Sequence, residues 1–316
     1  MHDPAFTAPG HFWRGNLHTH SNRSDGVLPP EEVCRRYREE GYDFIALTDH
    51  FIGAYDYPIV DTHPFRTDGF TTILGAEVHS GAMENGELWH ILAVGLPLNF
   101  APSNSPGFLP IEGMETGPEL AMRCREAGAF VALAHPEWGG LSLQDARSLE
   151  AAHAVEVYNH GCQIGADRAG GFWHLDRLLE EGRLLTLCAT DDAHFTEPDH
   201  FGGWTMVKAE ENTPEALLAA LKKGQMYAST GPMIHDVTWG KDAVTVRCSP
   251  ASTVIVQGSG SATAATHGNA MAEAELPYGR VSQSKWMRLT VIDGMGKRAW
   301  TNPVWQDVNQ CPKPAL

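Results

Sequence analysis

The chain has 316 residues, enough for one large α/β domain with a smaller one beside it and a core that needs no staples. Its 23 Lys and Arg against 39 Asp and Glu give a formal net charge of −16, which argues against long nucleic acid or an anionic membrane as a partner but not against a small anionic ligand. Six cysteines (Cys34, Cys124, Cys162, Cys188, Cys248, Cys311) without a C-x-x-C pair indicate neither a zinc ribbon nor a disulfide framework, and fit a reducing cytoplasm.

In chain order, the opening MHDPAFTAPGHFWRG lacks the basic stretch and apolar core of a signal peptide, and no later apolar run approaches the about 20 residues of a membrane span. A short first strand leads to NLHTHSNRSDG. PPEEVCRRYREEGY then reads as a helix ended by Gly41, with prolines and acidic residues at its start and Val33, Cys34 and Tyr37 at helical spacing. Strands DFIALTDH (43–50), TILGAEVH (72–79), HILAVGL (90–96), AFVALAHP (129–136), AVEVYNH (154–160) and LLTLCATDDAH (184–194) follow. They are interleaved with helices over TGPELAMRCREAG, SLQDARSLEAA and WHLDRLLEEG. WTMVKAE and a helix capped by Thr213 with Pro214 in its first turn close this part. Alternation of this kind predicts a parallel sheet with helices outside, and about seven units predict a closed or nearly closed barrel over residues 1–230. From residue 231 to 316 polar and apolar residues alternate between turn residues, which predicts a small antiparallel β domain with an exposed loop over GSGSATAATHGNAMA (258–272). Of the 16 histidines only His235 and His267 lie in that second part, so histidine chemistry belongs to the first.

Polar residues of metal-ligand type follow the apolar runs instead of interrupting them. His18 and His20 come after the first strand, His50 ends LTDH, Glu77 ends LGAE, His135 ends VALAH, and Asp192 and His194 end LCATDDAH. The carboxyl ends of barrel strands share one mouth, and residues i and i+2 on a strand point the same way. Asp25 and His90 complete the set from the rim, giving six histidines and three carboxylates. Nitrogen and oxygen donors without thiolate suit zinc, manganese or iron, and nine exceed what one ion takes, so two or three ions are expected.

HTHSNRSDG, LTDH, GAE, the lone His90, AHP and DDAH, in that order, resemble the motifs of the polymerase and histidinol phosphatase (PHP) family over about residues 12–230. The resemblance implies a distorted seven-stranded (βα)7 TIM-like barrel with a two- or three-metal site, hydrolysis of phosphate esters, and His18, His20, Asp25, His50, Glu77, His90, His135, Asp192 and His194 as ligands. YNHGC, GGW, GQMYASTGP and the β-rich end further resemble a branch of that family related to carbaryl hydrolase.

The expected nucleophile is a water or hydroxide bridging two ions, held by Glu77, His18 and Asp192, with no GxSxG serine in the chain. Arg23 is expected to pair with a phosphate, with Arg168 and Lys208 behind it. His79 faces the same way as Glu77, and His160, Ser229 and Thr230 are further substrate-facing candidates. Asp49 and Asp191, each next to a ligand, are expected to support and not to ligate. The expected reaction is hydrolysis of a small-molecule or nucleotide phosphomonoester or diester. Carbamate, amide or ester hydrolysis at the same metals is the alternative, and a non-catalytic metal-binding module the third reading.

Overall fold

The computed structural model describes residues 3–111 and 115–306. Its elements are, in order, α1 (Pro4–Thr7), β1 (His11–Asn16), α2 (Pro30–Glu39), β2 (Phe44–Leu47), β3 (His50–Phe51), β4 (Thr71–Val78), β5 (Ile91–Val94), α3 (Gly117–Glu126), β6 (Phe130–Leu133), α4 (Leu143–Ser148), β7 (Ala154–Asn159), α5 (His160–Ala166), α6 (Phe172–Glu180) and β8 (Thr186–Thr190). They continue with β9 (Trp204–Ala209), α7 (Pro214–Lys222), β10 (Met226–Ser229), β11 (Ile234–Trp239), β12 (Ala243–Gly258), β13 (Thr263–Pro277), β14 (Trp286–Ile292), β15 (Arg298–Thr301) and β16 (Val304–Trp305).

Local sequence explains the helix boundaries. In α2, Pro30, Glu31 and Glu32 occupy the first turn and Arg36 and Arg38 the last, which suits the helix dipole, and Val33, Cys34 and Tyr37 turn inward. Capping boxes open α3 (Thr116 with Glu119) and α4 (Ser142 with Asp145), and Thr213 accepts from the Ala216 amide at the start of α7.

The strands form one mixed sheet whose path runs β11-β12-β14-β15-β10-β9-β1-β2-β4-β5-β6-β7-β8. The pairs β1/β2, β2/β4, β6/β7 and β7/β8 are parallel, as the alternation predicts. However, β5 runs antiparallel to both β4 and β6, and β9 antiparallel to β1. The reversal at β5 follows from its connection, since residues 79–90 carry no crossover helix and are pinched by an Ala82–Leu88 bridge, so the chain turns straight back.

The far end of the path returns towards β1. Thr19 bridges Ala193, the Asp192 amide donates to the His18 carbonyl at 2.8 Å, and Thr205 of β9 bonds the Ala189 backbone of β8. Among the described residues no strand ladder closes a ring there.

Three buried apolar clusters pack around β1–β9, and a fourth, with Val244, Val246, Val254, Leu289 and Val291, fills the C-terminal sheet. The stretch 258–272, expected as a loop, makes only a tight turn around Ser259–Ala262 before continuing as β13 along β12. Its small residues carry little apolar signal because both faces of β13 are largely exposed. Cys34, Cys124, Cys162, Cys188 and Cys248 are buried free thiols, and Cys311 lies outside the described residues. No helix among the described residues is long and apolar enough to cross a membrane.

Asn302 stitches the C-terminal strands to the rest. Its side chain, 3% exposed, accepts from the Leu187 amide at 2.9 Å and donates to the carbonyls of Gly224 and Met226 at 2.9 and 3.0 Å. Asn302→Ala leaves three buried backbone groups without a partner, and a loss of about 2–3 kcal/mol in a urea unfolding titration is expected.

Candidate metal centre

The clustered side chains come from the ends of elements that share one rim. Val78 pairs with Ile91, so the start of reversed β5 lies beside the end of β4, bringing His90 to Glu77 although thirteen positions separate them. The rest arrive after β1, β6 and β8, within the loop to α2, and on the two-residue strand β3.

The HTHSNRSDG segment is shaped by Asp49, which accepts from the Ser21 amide and hydroxyl at 2.7 and 2.8 Å and from the Ser24 hydroxyl at 2.8 Å. Gly26 lets the chain fold back: a Cβ there would lie 2.9 Å from the His20 backbone. Asp191 does similar work on the other side, accepting from Tyr37 and from the amides of Phe201, Gly202 and Gly203. Burial pushes its carboxyl up to about 6. Both aspartates support neighbouring segments, as the sequence predicts. His135 and Asp192 have positive φ, 23° and 56°, a conformation ordinary side chains rarely adopt.

Glu77, fully buried, is the hub. Its oxygens lie 2.6 Å from His50 Nδ1, 2.7 Å from His90 Nδ1, 3.0 Å from His135 Nε2 and 3.6 Å from His18 Nε2. Burial alone would push this carboxyl up, but the His90, His50 and His18 rings hold it well below the usual range. Asp192 Oδ1 lies 2.9 Å from His20 Nε2 and 3.2 Å from His18 Nε2. Asp25 lies 3.2 Å from His50 and 3.3 Å from His194. Burial, with the His194 and His50 rings, pushes His20 down to about 3.

Four overlapping groups have donor atoms close enough to share an ion: His20, Asp25, His50 and His194; His50, Glu77, His79 and His90; His18, Glu77 and His135; His18, His20 and Asp192. All nine residues expected as ligands are therefore together. A tenth, His79, expected to face substrate, is fully buried, with Nδ1 2.9 Å from the Trp89 carbonyl and Nε2 2.9 Å from His50 Nδ1. Two observations suit a divalent cation: the donors are imidazole and carboxylate, and buried His18 Nε2 and Glu77 Oε2 make no hydrogen bond of adequate geometry.

The cluster floors a cavity of about 670 Å³, lined also by Met83, Leu88, Phe108, Trp138 and Arg168. The other expected substrate contacts lie elsewhere. Arg23 is exposed and does not line the cavity. His160 packs against Gly202 and lies 3.0 Å from the Tyr158 hydroxyl. Ser229 donates to the Pro232 carbonyl and accepts from the Gly231 amide, closing the turn after β10, and Thr230 exchanges bonds with the Arg298 backbone of β15. Lys208 sits over the Phe12 ring.

Glu156, passed over in the sequence, lies beneath the cluster. Fully buried, it lies 3.0 Å from His18 Nδ1 and accepts from the His135 amide at 2.6 Å, from Asn159 at 3.0 Å and from the Thr190 hydroxyl. The signal was present: a lone acid in the apolar run AVEVYN of a buried strand.

A mixed α/β fold carrying a buried polyhistidine–carboxylate cluster at one rim of its sheet defines the class. The PHP domain family model matches residues 16–95, the stretch from Asn16 through Glu77 and His90. The structure is similar to that of a two-domain protein of Bacteroides vulgatus described as containing a predicted PHP-like metal-dependent phosphoesterase. That likeness has 17% identity and a TM-score of 0.53, covers 93% of this chain and 95% of the other, and concerns the fold alone. An amidohydrolase of Chromobacterium violaceum aligns at 16% identity and a TM-score of 0.44, over 58% of this chain and 89% of that one. No curated protein matches.

Removing bound metal with a strong chelator is expected to lower the melting temperature, since a native-state ligand at a hundred times its Kd stabilises by about 2.7 kcal/mol. Restoring zinc, manganese or iron should reverse the loss, and elemental analysis gives the ions per chain. Glu156→Ala removes the group that orients His18. A chromophoric chelator competing for metal should then report affinity lower by about 10–100-fold in a folded protein.

Proposed function

We propose that the protein is a metal-dependent hydrolase of the PHP type that cleaves a phosphate monoester or diester of a small molecule or nucleotide. Its β1–β9 part would then be the family's distorted seven-stranded barrel. The observation that carries the reading is the convergence of six histidines and three carboxylates, expected from the motifs, in one cluster, of which His50, His90, His135, His194 and the three carboxylates line a cavity with an arginine on its wall. The net charge of −16 disfavours a long polynucleotide and leaves a small anionic substrate.

The ligands proposed are His18, His20, Asp25, His50, Glu77, His90, His135, Asp192 and His194, with His79 and Glu156 fixing the rings of His50 and His18. Two or three divalent ions held there would supply Lewis acidity and lower the pKa of water from 15.7 towards about 7. Arg168 is the cation that the cavity offers a phosphate, the task the sequence had assigned to Arg23. No side-chain nucleophile is required. Burial, with Asp192 and Glu156 nearby, pushes the Cys162 thiol far above its ordinary range, which disqualifies it as a thiolate.

Steady-state assays with defined metals across phosphate monoesters, diesters and neutral carbamates test this directly. Phosphate esters should be turned over, and Asp192→Ala should abolish turnover in a folded chain. Arg168→Ala should cut kcat/KM for a phosphate monoester by about 10–100-fold, the cost of a lost charged hydrogen bond, with Arg23→Ala having little effect. Efficient cleavage of carbamates alone, insensitive to Arg168→Ala, would overturn the reading.

A further inference from the structure

The wall of the cavity differs chemically from its floor. Trp138 and Phe108 line it while remaining 43% and 41% exposed, and Met83 and Leu88, both nearly buried, fill in behind them. The two rings flank the cluster edge-on: Trp138 lies with its centroid 4.9 Å from that of His135 and 5.5 Å from that of His90, Phe108 5.0 Å from that of His50.

Trp138 sits on a hydrogen-bonded turn, and the Phe108 ring packs against those of His50, Tyr55 and His79. Trp138 rides on the turn after His135, closed by bonds from the Gly139 amide to the His135 carbonyl at 3.1 Å and from the Leu141 amide to the Pro136 carbonyl at 2.9 Å. Asn85 ties that turn to the 79–90 loop through the Gly139 carbonyl at 2.8 Å. Phe108 follows Ser105, whose carbonyl accepts from the Gly53 amide at 2.8 Å. Large aromatic rings at a cavity mouth leave apolar area in water unless a ligand covers it, and fixed rings cover it with little loss of conformational entropy.

Resting on the phosphoesterase reading, we infer that Trp138 and Phe108 are specificity-determining residues that select phosphate esters of alcohols carrying an apolar, ring-containing group. The phosphate meets the cluster and Arg168, and the alcohol part lies along Trp138, Phe108, Met83 and Leu88. A cavity of about 670 Å³ is of the size that holds such a molecule.

The test compares 2-phenylethyl phosphate with ethyl phosphate, two primary alkyl esters of similar intrinsic reactivity, on the metal-loaded full chain. The wild-type protein should favour the phenyl ester by about tenfold in kcat/KM, the ratio expected of a modest aromatic contact. That preference should collapse in Trp138→Ala, fall in Phe108→Ala and recover in part in Trp138→Phe. Calorimetric titration with 2-phenylethylphosphonate and ethylphosphonate gives a second readout free of turnover, with the same preference expected in the wild type and lost in Trp138→Ala. Hydrolysis of both esters without preference, or a preference that survives Trp138→Ala, overturns the inference and leaves the phosphoesterase reading standing. If neither of these esters nor any monoester or diester of the steady-state assays is hydrolysed, but the phosphonate preference appears and depends on Trp138, the apolar wall is upheld and the phosphoesterase reading fails.

Discussion

A single buried carboxylate governs this structure. Glu77 is removed from water, and the rings of His18, His20, His50, His79, His90 and His135 all approach it within 4 Å. An ionised carboxylate in such surroundings is tolerable only with compensating positive charge, and among the described residues its ion pairs are all with histidine. The compensation has to come from protons on imidazole or from cations bound among the rings. Each strand end that reaches the rim supplies part of it.

The supporting groups follow from that demand. Glu156 fixes His18 and the backbone at His135, Asp49 shapes the turn after His20, and Asp191 gathers Tyr37 with three loop amides. The unusual backbone at His135 and Asp192 belongs to the same arrangement, because each sits where a strand ends and the side chain must turn into the cluster. The C-terminal sheet contributes no residue to the four groups of donors, but it joins the ladder through β10 and β15 and through Asn302.

Much of the site was legible because its signal is local. His18 with His20, the TDH ending at His50, and Asp192 with His194 each declare themselves by following an apolar run, and all converge. What stayed hidden depends on three-dimensional neighbours. The reversal of β5 turns on the lack of a helix in 79–90, and the parallel sheet predicted from the alternation of the whole stretch passed over that local gap. Arg23 and Arg168 look alike as surface arginines, and only the path of the chain after α5 brings Arg168 to the cavity. Ser229 and Thr230 carry phosphate-binding chemistry in sequence, yet their hydroxyls are spent on backbone, that of Ser229 in the turn after β10 and that of Thr230 on Arg298 of β15. Strand β13 was missed because alanine, glycine and threonine on an exposed ribbon give no alternation to read.

The continuity of the strand ladder carries a mechanical meaning. From β11 through β12, β14, β15, β10 and β9 to β1, every step is a backbone pairing, and β1 leads within two residues to His18. No flexible tether separates the C-terminal strands from the strand that delivers two of the histidines. A chain cut after residue 230 would lose β15 from the side of β10, leaving an open edge and uncovering Tyr227 and its apolar neighbours. The C-terminal strands therefore act as a splint along one side of the sheet, and a load placed on them is passed by hydrogen bonds to the segment bearing His18 and His20.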